Sequence, residues 1–320
     1  MRVSPGARSL RYSALLIATI ISLPAAGLRP FFAAAQTQRQ PASTQSQQQS
    51  SSRDLELVRD SKPIQLPINS KRWALIIGID QYDGNPATNL SGAVKDAKNL
   101  QDALHNYAGF PTEQIILLTS DQKGTQAPTR SNILFALANV TEQVPPDGLL
   151  LFAFSGHGLS SEGNDGEAFL LPSNARMHSS IKYLQDEAVP VARVKDYMAG
   201  VKQKIILLDA CRNTPTGRGE GGTTLSEGFT RAFSFDKSNK GIDASIVIYA
   251  TKPGHKAYED RDASMGYFTK ALIEGISGKA ADPDTGEVKF SVLMQYVIKE
   301  VKSRTLRLET EVQEPWADIQ

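Results

Sequence analysis

The sequence predicts an α/β sandwich, in which a mainly parallel central sheet carries helices on both faces. From residue 72 onward, short apolar runs alternate with segments whose apolar residues recur at helical spacing. Two of the runs, residues 148–154 and 205–208, are apolar throughout, which is typical of strands buried on both faces. Strands that are separated regularly by helices favour parallel pairing through right-handed crossovers.

The elements follow one another in the order that such a sheet requires. The predicted strands are residues 73–79, 115–118, 148–154, 205–208 and 246–250. The predicted helices are residues 93–107, a segment from Thr129 through Val140, a segment that opens at Pro190, and residues 267–276 and 290–303. Thr129 is predicted to cap its helix, because a threonine hydroxyl can accept a backbone N–H of the first turn.

The stretch around Cys211 carries the strongest indication of chemistry. Cys211 is the only cysteine of the chain and lies just past the predicted strand 205–208. His157 stands in a similar place after the strand 148–154. Because ligands of open parallel sheets bind in the crevice beyond the carboxyl ends of the strands, we expect both side chains there, facing solvent.

Taken singly, each of these residues has an ordinary structural interpretation. A solitary buried cysteine is usually an inert small apolar residue, and a lone histidine is usually a hydrogen-bonded structural one. A thiol attacks a carbonyl well only as the thiolate and therefore needs a base nearby, usually a histidine. The placement of Cys211 and His157 after two comparable strands therefore favours a catalytic pair.

Three motifs stand in order along the chain: Arg-Trp-Ala-Leu-Ile-Ile-Gly-Ile at residues 72–79, Ser-Gly-His-Gly at 155–158 and Asp-Ala-Cys-Arg-Asn at 209–213. In these motifs the chain resembles the caspase-like cysteine peptidases of clan CD, on the side of the metacaspases, the paracaspases and their bacterial relatives. Caspases carry their histidine about 50 residues before the cysteine, and His157 precedes Cys211 by 54 positions. The resemblance covers residues 70–320 and implies a caspase-like three-layer sandwich.

The resemblance also implies roles for individual residues. His157 would be the base, Cys211 the nucleophile, and the backbone N–H groups of Gly158 and Cys211 the oxyanion donors. The glycine after the histidine is expected to let the substrate approach closely. The family works without an obligatory third catalytic residue, so none is assigned.

Substrate specificity is predicted from two aspartates. Caspases cut after aspartate with the help of arginines and a glutamine, whereas this chain has Leu90 at one arginine position and Asp209 at the glutamine position. Metacaspases and paracaspases carry an aspartate at each of the positions that match Asp96 and Asp209. Two carboxylates in a pocket attract a guanidinium or ammonium group, so the resemblance implies cleavage after Arg or Lys. The alternative for Asp96 is a first-turn helix residue that the helix dipole favours.

The amino-terminal segment differs in composition from the rest. Arginines precede an apolar run that ends at Pro24, and small residues follow, so residues 1–35 are interpreted as a signal peptide for export to the periplasm or the cell exterior. A membrane anchor is the alternative, but the run is shorter than the roughly 20 residues that a span needs. Residues 36–69 are a Gln/Ser-rich linker, and residues 70–320 the peptidase domain, with no further span predicted.

Composition and spacing argue against several ligands. A net charge of +1 gives no sign of a nucleic-acid partner. The glycine-rich residues 219–226 lack the Gly-Lys-Ser/Thr ending of a phosphate loop. One cysteine and four histidines show no metal-ligand spacing, so no cofactor is required. The acidic group Glu259, Asp260 and Asp262 is interpreted as a solvated loop; because some metacaspases need calcium, a calcium role is the alternative, although EF-hand spacing is missing.

Self-processing is a further expectation. The segment after Arg212 is long, polar and rich in glycine, which is typical of loops open to proteolysis. Arg218, Lys237 and Lys240 are the candidate cleavage residues, and a permanently intact chain is the alternative. The leading hypothesis is thus a thiol endopeptidase that acts on peptides and proteins at Arg or Lys. A catalytically silent caspase-like scaffold and another thiol enzyme, such as an amidase or acyltransferase, remain as alternatives, and nothing indicates the oligomeric state.

Overall fold

The central sheet is formed by the apolar runs that the sequence marks as strands. The computed structural model describes residues 67–83, 89–160, 167–176, 181–212, 227–235, 244–260, 264–308 and 311–319. The expected signal peptide, the linker up to residue 66, the glycine-rich residues 219–226 and Asp262 lie outside these ranges. So do the candidate cleavage residues Arg218, Lys237 and Lys240.

The strands in the described ranges are β1 (Arg72–Gly78), β2 (Ile115–Thr119), β3 (Leu149–Ser160), β4 (Ala168–Leu170), β5 (Val189–Pro190), β6 (Gln203–Arg212), β7 (Ala244–Tyr249), β8 (Glu259–Asp260), β9 (Met265–Gly266) and β10 (Trp316–Ile319). The main sheet has the order β2, β1, β3, β6, β7, β10, with β4 and β5 attached beside the end of β3. All neighbours from β2 to β7 are parallel, and β10 is antiparallel to β7. The predicted mainly parallel sheet is confirmed.

The helices are α1 (Ala93–Ala108), α2 (Arg130–Gln143), α3 (Ile181–Glu187), α4 (Val191–Met198), α5 (Glu227–Ala232), α6 (Tyr267–Glu274) and α7 (Phe290–Leu308). Thr129 caps α2 as predicted, since its hydroxyl accepts the backbone N–H of Asn132 at 3.3 Å. Within the ranges described above, no helix has both the length and the apolarity needed to cross a membrane.

The helices cover both faces of the sheet. Alternate residues of β1 belong to two separate apolar clusters, as the two-residue period of a strand requires. Leu75 and Ile77 pack in the cluster that contains residues of α2, α4 and α5. Ala74 and Ile76 pack in the cluster that contains residues of α1, α6 and α7. The expected three-layer sandwich is therefore the observed architecture.

The two strands that carry the candidate catalytic residues are longer than predicted. β3 continues past residue 154 to Ser160, and β6 continues past residue 208 to Arg212. The prediction that His157 and Cys211 follow the strand ends was therefore wrong. The physical reason is that β3 and β6 lie side by side up to their last residues, so each provides ladder hydrogen bonds that hold the other's polar motif extended.

The connection from β1 to α1 fixes the position of that helix. The Asp80 carboxylate accepts the backbone N–H groups of Ala93 at 2.8 Å and Val94 at 3.2 Å, which satisfies two donors of the first helical turn. Gly78 ends β1 so close to the helix that an added Cβ would lie 2.4 Å from the carbonyl oxygen of Ala93. The start of α1, which includes Asp96, is therefore held against the carboxyl end of β1.

Candidate active site

The register of β3 and β6 brings the two candidate catalytic residues side by side. His157 is the ladder partner of Cys211, and Ser155 is the partner of Asp209. Neighbouring strands of a sheet lie about 4.8 Å apart, so the two backbones meet at this point. The sequence prediction that the two residues share one edge of the sheet therefore agrees with the register. For Cys211 the description covers the backbone alone.

His157 is held in the protein interior. It is 5% exposed, so the expectation that it faces solvent was wrong. Its backbone N–H donates to the hydroxyl of Tyr82 at 2.7 Å, and its carbonyl accepts the N–H of Leu171 at 2.9 Å. The ring of Tyr82 packs on the imidazole with 4.8 Å between ring centroids. Tyr82 and Leu171, which belong to two other segments, thus contact the histidine. The spacing of residues along the sequence does not reveal these contacts.

Gly158 is needed for packing. An added Cβ would lie 2.7 Å from Cε2 of Phe229, which belongs to α5 and is fully buried. The ring of Phe229 fills the space that a side chain would take here, so packing alone requires the glycine. The expectation that Gly158 lets the substrate approach closely stays a prediction. The proposed use of the Gly158 backbone N–H toward an oxyanion stays a prediction.

Two carboxylates converge beside this part of the sheet. Asp96, on α1, is 4% exposed and accepts the backbone N–H of Gly266 at 3.1 and 3.2 Å. Asp209, on β6, accepts the hydroxyl of Thr269 at 3.0 Å. A Cβ added to Gly266 would lie 2.6 Å from Oδ2 of Asp209 and 3.1 Å from Oδ2 of Asp96. Gly266, which belongs to the hairpin β8–β9, therefore lies against both acids, and a larger residue would clash with them.

Two cavities share these carboxylates in their walls. One lies among β1, β3, β6, α1 and α6, and its polar lining consists of Asp96, Ser155, Asp209 and Thr269. The other is lined by the first three of these residues and by Leu90 and Glu259, among others. Ser155 and Asp209 lie two positions before His157 and Cys211 on the same strands. Both cavities therefore border the part of the sheet that carries the candidate catalytic residues.

The electrostatics of the acid pair are unusual. Burial and, to a smaller extent, the nearby negative charge of Asp209 together raise the pKa of Asp96 to about 9. The backbone N–H of Gly266 opposes this shift, and Glu259 adds a weaker upward contribution. At neutral pH Asp96 therefore holds a proton. A cation close to its carboxylate would lower this pKa, because it favours the charged form.

Glu259 is a pocket residue that the sequence analysis misjudged. It was interpreted as part of a solvated loop, but it lies in β8, and its carboxylate accepts the hydroxyl of Ser91 at 2.7 Å beside the second cavity. Because Asp262 lies outside the described residues, the calcium alternative stays a prediction. Within the residues that the structure covers, no three His, Cys, Asp or Glu side chains gather in a group that would hold a metal ion.

Ser155, Thr269 and Gly266 were also missed. Ser155 stands in the histidine motif, so its position two residues before His157 was a usable signal. Thr269 and Gly266 lie about 60 residues beyond Asp209 in the chain and belong to no motif, so only the packing of α6 and β8–β9 against the sheet reveals them.

Comparison with known proteins agrees with this geometry. Residues 71–319 match the caspase domain family. The chain belongs to the caspase-domain family. The match includes all the strands and helices described above, and it agrees with the resemblance that the three motifs carry.

Metacaspases are among the similar proteins. Metacaspase-1A of Aspergillus oryzae is 38% identical over 97 residues, which are 30% of this chain and 23% of that protein. Metacaspase-1 of Ajellomyces capsulatus is 30% identical over 150 residues, which are 45% of this chain and 40% of that protein. This chain thus matches less than half the length of these relatives. A solved structure from Geobacter sulfurreducens has the same fold, with a TM-score of 0.52, 14% identity, and coverage of 78% of this chain and 93% of that one.

Replacing Asp96 by asparagine is expected to stabilise the fold in a pH-dependent way. An unfolded aspartate has a pKa near 3.9, whereas burial raises that of Asp96 to about 9. The folded state therefore keeps a proton that the unfolded state loses, and the wild type loses stability as the pH rises from about 4 to about 9. Thermal unfolding should show that Asp96→Asn has the higher Tm at pH 8, by several degrees, and that the gap narrows toward pH 4.

The matched control for this experiment is Asp102→Asn, which changes an exposed aspartate of the same helix. It is expected to leave the Tm close to that of the wild type, because its side chain is exposed and lies outside the acid pair. A Tm of Asp96→Asn below that of the wild type at pH 8 would contradict the electrostatic description of the pocket.

Proposed function

We propose that this protein is a cysteine endopeptidase that uses His157 and Cys211 to hydrolyse peptide bonds after arginine or lysine. The observation that carries the proposal is the β3–β6 register, which pairs His157 with Cys211 and Ser155 with Asp209 next to a cavity that Asp96 also lines. Catalytic pair and acidic pocket are thus built from the same two strands. Membership of the caspase-domain family supports the same reaction class.

The reaction begins with transfer of the Cys211 thiol proton to the imidazole of His157. The thiolate sulfur then attacks the carbonyl carbon of the peptide, and the carbonyl oxygen becomes an oxyanion that backbone N–H groups stabilise. As the C–N bond breaks, the imidazolium donates its proton to the leaving amine. A water molecule then gives a proton to His157 as its oxygen attacks the thioester carbonyl. The C–S bond breaks, the acid product leaves, and the imidazolium returns the proton to the sulfur of Cys211.

The acidic pocket supports selection of a basic side chain. Asp96 and Asp209 line the same cavity, and Ser155 and Thr269 supply polar groups beside them. A guanidinium or ammonium group in the cavity that both carboxylates line would offset the repulsion that, after burial, raises the pKa of Asp96. A substrate aspartate would add a third negative charge to the same space. The pocket therefore favours arginine and lysine over aspartate.

No cofactor takes part in the proposed reaction. Each proton transfer goes through His157, and the nucleophile belongs to the chain itself. We further propose that calcium is not required, because the carboxylate of Glu259 is already bonded to the Ser91 hydroxyl. The cleavage assays below should therefore give equal rates in EDTA and in calcium chloride.

Substitution of either member of the catalytic pair is expected to abolish cleavage. Cys211→Ala removes the nucleophile, and His157→Ala removes the base, so each variant should lose at least about 1000-fold in kcat/KM on an arginyl fluorogenic peptide. Both variants should retain the far-UV circular dichroism of the wild type. Wild-type rates in either variant would contradict the assignment of the catalytic pair. A wild type that cleaves no peptide would favour the silent scaffold, and one that hydrolyses only small amides or esters would favour another thiol enzyme.

Removal of one carboxylate is expected to weaken selection for basic residues. Loss of one partner of a buried charge pair costs about 2 to 5 kcal/mol, so Asp209→Asn and Asp96→Asn should lower kcat/KM for arginyl and lysyl peptides about 30-fold or more. Asp102→Asn should leave it unchanged. The alkylation rate of Cys211 should change little in all three. A wild type that prefers aspartyl peptides would show that the pocket does not select as proposed.

Self-processing is proposed from the position of the flanking segments. β6 ends at Arg212, the ladder partner of Gly158, and the description resumes at α5, whose Phe229 packs on Gly158. The two described segments that flank Arg218 in the chain therefore meet at Gly158, beside the proposed catalytic pair. Intact mass spectrometry of the purified wild type should reveal fragments that end at Arg218, with Lys237 and Lys240 as secondary sites. Cys211→Ala should stay uncut; the same fragments in that variant would assign the cleavage to another protease.

A further inference from the structure

Tyr82 makes two contacts with His157 that neither motif predicts. Its hydroxyl accepts the backbone N–H of His157 at 2.7 Å, and the two rings lie 4.8 Å apart at an angle of 37°. Both residues are buried, at 6% and 5% exposure. We infer that Tyr82 is a positioning residue that fixes the backbone and the imidazole of His157 for proton transfer. The inference rests on the proposed role of His157 as the base.

The segment that carries Tyr82 is itself held on both sides. The backbone N–H of Tyr82 donates to Oδ1 of Asn89 at 3.0 Å, and the N–H of Asp83 donates to the carbonyl of Ser173 at 2.9 Å. Two positions earlier, Asp80 bonds to the first turn of α1. The hydroxyl of Tyr82 is therefore presented to β3 from a segment anchored to the rest of the fold.

Gly156 makes room for this hydroxyl. A Cβ at this position would lie 2.7 Å from Oη of Tyr82, which is closer than real Cβ contacts come. The same Cβ would lie 3.1 Å from Cζ of Phe154, so the glycine packs against the tyrosine hydroxyl and, less closely, against the ring of Phe154. The pair Tyr82 and Gly156 forms one structural unit, because a side chain on the glycine would displace the tyrosine hydroxyl from the N–H of His157.

The two contacts act on different parts of His157. The hydrogen bond fixes its N–H, while the N–H of Leu171 fixes its carbonyl, so the backbone is held on both sides. The tyrosine ring limits rotation of the imidazole. A base must lie within hydrogen-bonding distance of the proton it takes, and a displacement of 1 Å can cost about 100-fold in rate. Tyr82 therefore affects the chemical step without touching the substrate.

Tyr82→Phe tests the hydroxyl, and Tyr82→Leu tests the ring as well. On an arginyl peptide, Tyr82→Phe should lower kcat about 10-fold and leave KM within about 2-fold, and Tyr82→Leu should lower kcat about 100-fold. The matched control is Tyr296→Phe, which removes a tyrosine hydroxyl that donates to Glu274 on the other side of the sheet. This variant should change Tm without changing kcat. A wild-type kcat in both Tyr82 variants would overturn the inference.

The coupling between Tyr82 and Gly156 gives a sharper test. Gly156→Ala should lower kcat in the wild-type background and lower it less in the Tyr82→Phe background, because the oxygen that the new methyl meets is gone. Multiplicative effects would show that the two residues act separately and would contradict the inference. A purely structural role predicts losses that follow Tm in every variant.

A second measurement separates this inference from the proposed function. Cys211 is the only cysteine, so alkylation by iodoacetamide reports on its thiolate whether or not a peptide is cleaved. Tyr82→Phe should slow alkylation several-fold at pH 7, in the same direction as His157→Ala. If the wild type cleaves no peptide and Tyr82→Phe still slows alkylation, the proposed function fails and the positioning role stands. If the wild type cleaves and Tyr82→Phe changes neither kcat nor alkylation, the positioning role fails alone.

Discussion

The parallel pairing of β3 with β6 is the interaction on which the rest of the site depends. A shift of two residues in its register would separate His157 from Cys211 and Ser155 from Asp209 together. The register is fixed by the apolar residues of both strands that pack into the two cores. Because β3 is buried on both faces, a slip would move many apolar groups from their places at once. The hydrophobic core thus sets the alignment of the polar motifs.

The acid pair shows how stability and specificity oppose each other here. Asp96 is buried beside Asp209, and its raised pKa means that ionisation of this residue destabilises the fold. What holds the pair in place is the surrounding structure: Gly266 donates to one carboxylate, and Thr269 donates to the other. Perturbed carboxylates in a cavity are typical of functional sites. Protonation of Asp96 relieves the repulsion at neutral pH, and a bound basic side chain, as proposed above, would relieve it with both acids charged.

The sequence predicted the strands along the chain, a mainly parallel sheet and the placement of the two motifs at one edge of it, because apolar runs and their spacing are local signals. It also placed Thr129 correctly, since a cap depends on residues a few positions apart. It ended β3 and β6 too early, because polar residues in a strand are stabilised by the neighbouring strand and not by their own propensity. β10 also depends on its neighbouring strand. It contains only four residues and pairs with β7, which lies more than 60 positions earlier in the chain.

The remaining omissions concern contacts between segments that are distant in sequence. Glu259 looked like a solvated acid because its partner, Ser91, lies 168 positions away. Gly158 was assigned to substrate access because nothing local indicates that Phe229 packs against it. Tyr82 precedes His157 by 75 positions and had no motif to mark it. In each instance the signal exists only once the sheet has folded.

The central claim is that one pair of strands positions both the nucleophile and a pocket for a cation. The most direct measurement is a crystal structure of the protein after reaction with a peptidyl arginyl chloromethyl ketone. The account predicts a thioether bond to Sγ of Cys211 and a guanidinium group within hydrogen-bonding distance of both Asp96 and Asp209. An arginine side chain bound away from these carboxylates, or equal labelling by the aspartyl analogue, would contradict it.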